Sequence, residues 1–207
     1  MADEIEKRKP TELAQDQKNA FEAYGAAATA RAIEGDLLKF VQGDYLAGQE
    51  NEEIPHGTKL AAEMDTLAIG WLRWQDNVPV EERMGLVAEG FVPVKRHELG
   101  DFDKEHWETD GDSDPRDPWQ FSNRLRMHNL ESGRVFTFAT ASKGGLGAVG
   151  ELCKAYGKAM RQRPNEDPIV ELDSSSYPHS DKTIGRVKYP ILKLVGWTQK
   201  GSSNGNT

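Results

Sequence analysis

Residues 134–163, RVFTFATASKGGLGAVGELCKAYGKAMRQR, constrain the fold more than any other stretch of the chain. Val135, Thr137 and Ala139 alternate with Phe136, Phe138 and Thr140, the period of a strand. A glycine-rich turn follows, with Gly144, Gly145, Gly147 and Gly150 and with Lys143 at its mouth. Residues 151–163 then read as a helix with a basic end, stopped by Pro164. Glycines let backbone N–H groups approach a ligand, and a helix N-terminus attracts anions. Gly145, Gly147 and Gly150 also match G-x-G-x-x-G, with Glu171 and Asp173 near the place of a ribose-binding acid. Three observations oppose a dinucleotide fold. The preceding strand alternates as a half-exposed antiparallel strand does. Only 34 residues follow Asp173. The fingerprint closes the chain where it normally opens a domain. The G-K-[ST] ending of a Walker A loop is missing. Three readings remain: a closely packed corner, backbone contact with the phosphates of a nucleic acid through Gly144, Gly145 and Gly147, and, weakest, a nucleotide-binding enzyme that uses the glycine turn.

The rest of the chain supplies mainly strands. Residues 37–45 read as a first strand, and 59–64, 67–75 and 80–87 as a run joined by short turns, the pattern of an antiparallel meander. In residues 67–75 the apolar set covers both parities, which predicts a bulge at Gly70 or burial on both faces. Residues 119–127 and 134–141 form a hairpin, 169–172 a short strand, and 186–197 a last strand whose Pro190 favours an edge or a bulge. Residues 174–185 read as a loop. Residues 11–33 have a helical composition with a thin apolar face and predict an arm, a candidate contact for the body or for a second copy. The expected layout is an arm over 1–36, one domain over 37–198 with an acidic loop at 100–118, and a tail over 199–207.

Charge divides the chain. Residues 1–118 hold 13 Lys and Arg against 27 Asp and Glu, a net of −14, whereas residues 119–207 hold 13 against 7, a net of +6. Such a split points to an anionic partner for the basic half, or to an acidic segment that mimics one. The acidity peaks at Asp101, Asp103, Glu105, Glu108, Asp110, Asp112, Asp114 and Asp117. The spacing of Asp110, Asp112 and Asp114 resembles a calcium loop, but Pro115 and Phe121 replace the required glycine and glutamate, so no metal is expected. One cysteine, Cys153, excludes an internal disulfide and fits a reducing cytoplasm. The N-terminal MADEIEKRKP has no apolar core, so secretion is not expected. No apolar run is long enough for a membrane helix.

Catalysis finds little support. Cys153 sits within the helical segment, and His56, His97, His106, His128 and His179 are scattered without paired spacing. Ser142 lacks the G-x-S-x-G context. Neither enzyme activity nor a cofactor is expected. The basic half instead interleaves cations with aromatics. Arg124, Arg126, Arg134 and Lys143 border the hairpin, Lys154, Lys158 and Arg161 share a helix face, and Arg186 and Lys188 lie on the last strand. Trp119, Phe121, Phe136, Tyr156, Tyr177, Tyr189 and Trp197 lie among them. Single-strand binders combine a basic groove with stacking rings. Trp119, Phe121, Phe136 and Tyr189 are the candidate stacking residues.

The segments DPWQFSN, TFATASKGGLGAVGELCKAYG, GRVKYPILKLVGW and GTKLAAEMDTLAIGWLRW resemble a family of tailed-phage and prophage proteins of no established activity. The resemblance spans residues 37–198. The order of strand, hairpin, helix and final strands is also similar to phage single-stranded DNA-binding proteins built on an OB-type barrel. The expectation is therefore an α+β domain: an antiparallel, barrel-like (OB-type) sheet of five to seven strands, one long helix in the C-terminal half and an N-terminal helical arm. The expected function is phage-encoded binding of single-stranded DNA in replication or recombination, in the host cytoplasm. The alternative is a factor that binds or inhibits a host or phage replication or defence protein, with the acidic loop as nucleic-acid mimic.

Overall fold

The computed structural model describes residues 33–109, 114–183 and 185–201. The expected N-terminal arm, up to residue 32, and most of the expected tail lie outside the described residues, as do Asp110 and Asp112. Ten strands form one curled sheet, more than the five to seven read from sequence: β1 (Asp36–Val41), β2 (Asp44–Ala47), β3 (Glu52–Ile54), β4 (Lys59–Ala62), β5 (Ala68–Gln75), β6 (Val78–Leu86), β7 (Trp119–Asn129), β8 (Val135–Thr140), β9 (Glu166–Pro178) and β10 (Arg186–Gln199). Among the described residues there is one α-helix, α1 (Lys143–Ala159), which follows β8. Among the described residues no helix is long and apolar enough to cross a membrane.

β7 is the spine. One edge pairs with β8, Met127 opposite Phe136 and Leu125 opposite Phe138. The other edge pairs with β5 over residues 119–124 and with β4 over 127–129. The sheet then continues through β9 to β10 on one side and through β1 and β2 to β3 on the other. All pairs are antiparallel except β1 with β8, where Asp36 meets Phe136 and Leu38 meets Phe138. The first predicted strand is in fact the hairpin β1–β2, turned at Gln42 and Gly43, both with positive φ. Gly70 sits in unbroken register between Met84 and Ser122, and the bulge falls instead at Arg73–Trp74. The mixed parity of β5 therefore reflects a strand paired on both edges with apolar contacts on both faces.

Alternation along β7 and β8 turns Leu125, Met127, Phe136 and Phe138 into the core, where they meet Leu38, Tyr45, Leu60, Val170 and Leu172. Val149 and Leu152 of α1 complete the cluster. The far ends of the sheet approach one another across this core. The buried Tyr45 hydroxyl of β2 lies 3.0 Å from the Asp173 carbonyl and 3.1 Å from the Ile191 carbonyl. It has one proton and can donate to one of them at a time. Burial pushes this phenol above its usual range. Gly57 N–H donates to Leu172 O and Leu172 N–H to Thr58 O, which fastens the loop after β3 to β9. The result is an open half-barrel.

β9 and β10 outrun the sheet. β4 pairs with β9 only over residues 169–171. Beyond that, residues 173–178 and 186–191 pair only with each other and form a two-stranded arm. The sequence SSSYP, read as a loop, is half of this arm.

Candidate functional site

The glycine segment is helix rather than turn. Ser142 caps α1, its Oγ accepting from Gly145 N–H at 3.1 Å, and Leu146 N–H returns to Ser142 O. A Cβ on Gly145 would lie 1.9 Å from Thr140 Oγ1, and one on Gly144 would lie 2.6 Å from Tyr189 Cβ. These two glycines let the helix press against β8 and β10. Gly147 and Gly150 face open space. In a helix the amide of Gly147 is committed to the ladder, so only the first-turn N–H groups of Lys143 and Gly144 stay available to a ligand.

Between α1 and the arm runs a groove of about 690 Å³. One wall is Ser142, Lys143, Gly144, Gly147, Ala148 and Glu151, and the other comes from Tyr177 and residues 187–192. Tyr177, Val187, Tyr189 and Ile191 share one face of the arm by strand parity. The Tyr177 and Tyr189 rings lie 6.0 Å apart, tilted by 43°. Lys188 also lines the groove, and by parity its side chain leaves the opposite face of the arm, its Cδ and Nζ lying 2.3 and 2.6 Å from where a Cβ on Gly43 would stand. Lys143 and Lys188 make no ion pair among the described residues. The structure thus brings together Lys143, Gly144, Gly147, Lys188 and Tyr189 from the sequence-predicted set and adds Tyr177, Val187 and Glu151. Ser175 and Tyr177 alternate like a strand, a signal outweighed by the serine run and Pro178.

The other predicted residues are engaged elsewhere. Trp119 is 3% exposed, with its Nε1 donating to Asp101 Oδ2 at 2.8 Å. Phe136 is 2% exposed and belongs to the core. Neither offers a ring face to a base. Phe121 packs edge-on to Trp71 at 5.3 Å. Arg124 and Arg126 share a face, opposite Leu125 and Met127. Arg124 pairs with Glu82 at 2.9 Å. Arg126 pairs with Glu34 and, through Nε at 2.7 Å, with Glu63. Arg134 donates to Asp36 and Glu52, each at 2.8 Å, while its guanidinium covers the Phe136 ring. Lys154 pairs with Glu151. Arg186 is held by Ser176. Lys158 and Arg161 are exposed beyond the groove and make no ion pair among the described residues. Gly145 is buried under Ser142 and Thr140.

The acidic loop is partly built inward. Asp101 accepts from Arg73 Nε at 2.9 Å and from Trp119, and the Arg73 hydrogen bond holds its carboxyl below the usual range. Asp117 takes Arg96 bidentately, at 2.7 and 2.8 Å. Among the described residues no group of three or more His, Cys, Asp or Glu could hold a metal ion. Burial pushes the Cys153 thiol up, away from nucleophilic character.

No protein-family model matches the chain, and neither a curated protein nor a solved structure is significantly similar to it.

Proposed function

We propose that the groove between α1 and the β9–β10 arm binds single-stranded nucleic acid, and that the protein acts on such strands in phage replication or recombination. One observation carries the reading: two lysines that make no ion pair among the described residues, two tyrosines and a glycine-bare helix wall, distant in sequence, line one open groove. Lys143, the first-turn amides of α1 and Lys188 supply positive charge for phosphates. Tyr177 and Tyr189 supply ring faces for bases, which stack without regard to sequence. The wall at Gly147 admits a planar ring close to the helix backbone. A curled sheet with such a groove beside a long hairpin is the kind of platform that OB-type barrels offer to single strands. The resemblance to tailed-phage proteins supplies the setting. The mimic alternative draws less support, because Asp101 and Asp117 are engaged by Arg73, Arg96 and Trp119.

Fluorescence anisotropy with a short labelled single strand of mixed sequence tests this. Binding should weaken steeply as salt rises. Lys143→Glu with Lys188→Glu should reduce affinity by about tenfold or more, in keeping with two lost phosphate contacts. Absence of binding at low salt would refute the proposal, and so would unchanged affinity in the double variant.

A further inference from the structure

One groove residue has the wrong charge for a phosphate. Glu151 is the single carboxylate among the groove-lining residues. It lies eight residues beyond Lys143, or ~12 Å along the helix at the usual rise. Lys154 holds its Oε1 at 2.6 Å, and its other oxygen makes no hydrogen bond among the described residues. That lysine keeps the Glu151 carboxyl below its usual range, so the group is ionised at neutral pH. Lys154 offsets part of this charge, and the free oxygen still favours a hydrogen-bond donor over a phosphate. A strand in the groove is best placed with its phosphates toward Lys143 and a base edge toward Glu151. A carboxylate is an acceptor only, and it pairs with base edges that carry amino groups, cytosine N4 being the usual case. Guanine also presents donors on its Watson–Crick edge. Thymine and uracil present two carbonyl oxygens flanking a lone N–H, and those oxygens face a carboxylate unfavourably.

We infer that Glu151 is a base-discriminating residue, accepting a hydrogen bond from the amino group of cytosine or guanine and disfavouring thymine and uracil. This rests on the nucleic-acid reading of the groove and adds a preference to it. Gly147 and Ala148 on one side and Tyr189 and Pro190 on the other form the slot in which such a base would lie flat, its edge toward the carboxylate.

The test compares oligo-dC with oligo-dT of equal length, by anisotropy near neutral pH, on the whole protein and on Glu151→Gln. The wild-type protein should favour oligo-dC by about fivefold, a modest share of what a good side-chain–base pair supplies. Glutamine both donates and accepts, so the preference should fall below about twofold in the variant. The ratio is the readout, because loss of a negative charge alone would tighten both oligonucleotides together. Equal wild-type affinities for the two, or an unchanged ratio in Glu151→Gln, would overturn the inference while leaving the groove a nucleic-acid site. Failure to bind either oligonucleotide would overturn the inference and the reading beneath it.

Discussion

Asp167 shows how one side chain can tax the fold that contains it. It is 5% exposed on β9, and one oxygen accepts from Met64 N–H at 3.3 Å. Burial pushes its carboxyl above the usual range. An acid whose pKa is raised in the folded state adds stability below its unfolded value, and that contribution is lost as pH rises through the folded value. At neutral pH the ionised carboxylate is therefore a cost. Asp167→Asn keeps an oxygen for Met64 and should stabilise the protein at neutral pH. The gain should shrink as pH falls toward the ordinary carboxylate range. Urea melts of both proteins at two pH values measure this, and a gain that is the same at both would contradict it. Other residue roles depend on partners that sequence cannot reveal. Arg124 and Arg126 read as phosphate contacts because their strand is basic and amphipathic. Their carboxylates, Glu82, Glu63 and Glu34, come from 42 to 92 residues away. Lys143 and Lys188 read the same way and make no ion pair among the described residues.

At the scale of elements, legibility followed burial. β7 and β8 were readable because one face is core and the other is polar, so Leu125, Met127, Phe136 and Phe138 alternate cleanly. β9 was readable only at Ile169–Leu172, where it crosses the core; its outer half is half-buried at most, and the serines at 174–176 give no apolar alternation. The start of α1 was misplaced by eight residues, from Lys143 to Glu151, because glycine has poor helix propensity. The Ser142 cap and close contact with Thr140 and Tyr189 hold those first turns helical. The same glycines yield a contrast. Gly147→Ala and Gly150→Ala meet no atoms within 4 Å and should each stabilise by about 0.5–1 kcal/mol. Gly145→Ala drives a methyl into Thr140 and should destabilise by about 1–3 kcal/mol. Denaturant midpoints of the three variants test the pattern. A Gly145→Ala protein as stable as the parent would show that the approach of α1 to β8 is not tight.

For the molecule as a whole, the division between body and arm makes its own prediction. The core cluster ends near Leu172 and Leu192, and the arm beyond contributes little to it. Replacing residues 176–188 by a tight Asn-Gly turn between Ser175 and Tyr189 should leave a cooperative, folded body with a thermal midpoint within a few degrees of the parent. It should abolish binding of single strands, because Tyr177 and Lys188 go with the arm. Retained binding would move the interface elsewhere on the protein. The charge split along the chain pointed to an anionic partner for the C-terminal half or to an acidic mimic of one. It did not anticipate that much of that charge is neutralised within the fold, because ion pairs draw Asp36, Glu52, Glu63 and Glu82 from the acidic half.

The single parallel pairing, β1 against β8, reaches beyond the finished structure. Leu38 finds its neighbour Phe138 a hundred residues later in the chain. On a ribosome adding about 5–20 residues per second, β1 to β3 emerge about 5–20 s before the strand they must lie beside. During that interval the hairpin that carries Leu38, Phe40 and Tyr45 has no sheet to join. Synthesis thus delivers an apolar edge early, and that edge stays without its parallel neighbour until β8 leaves the exit tunnel.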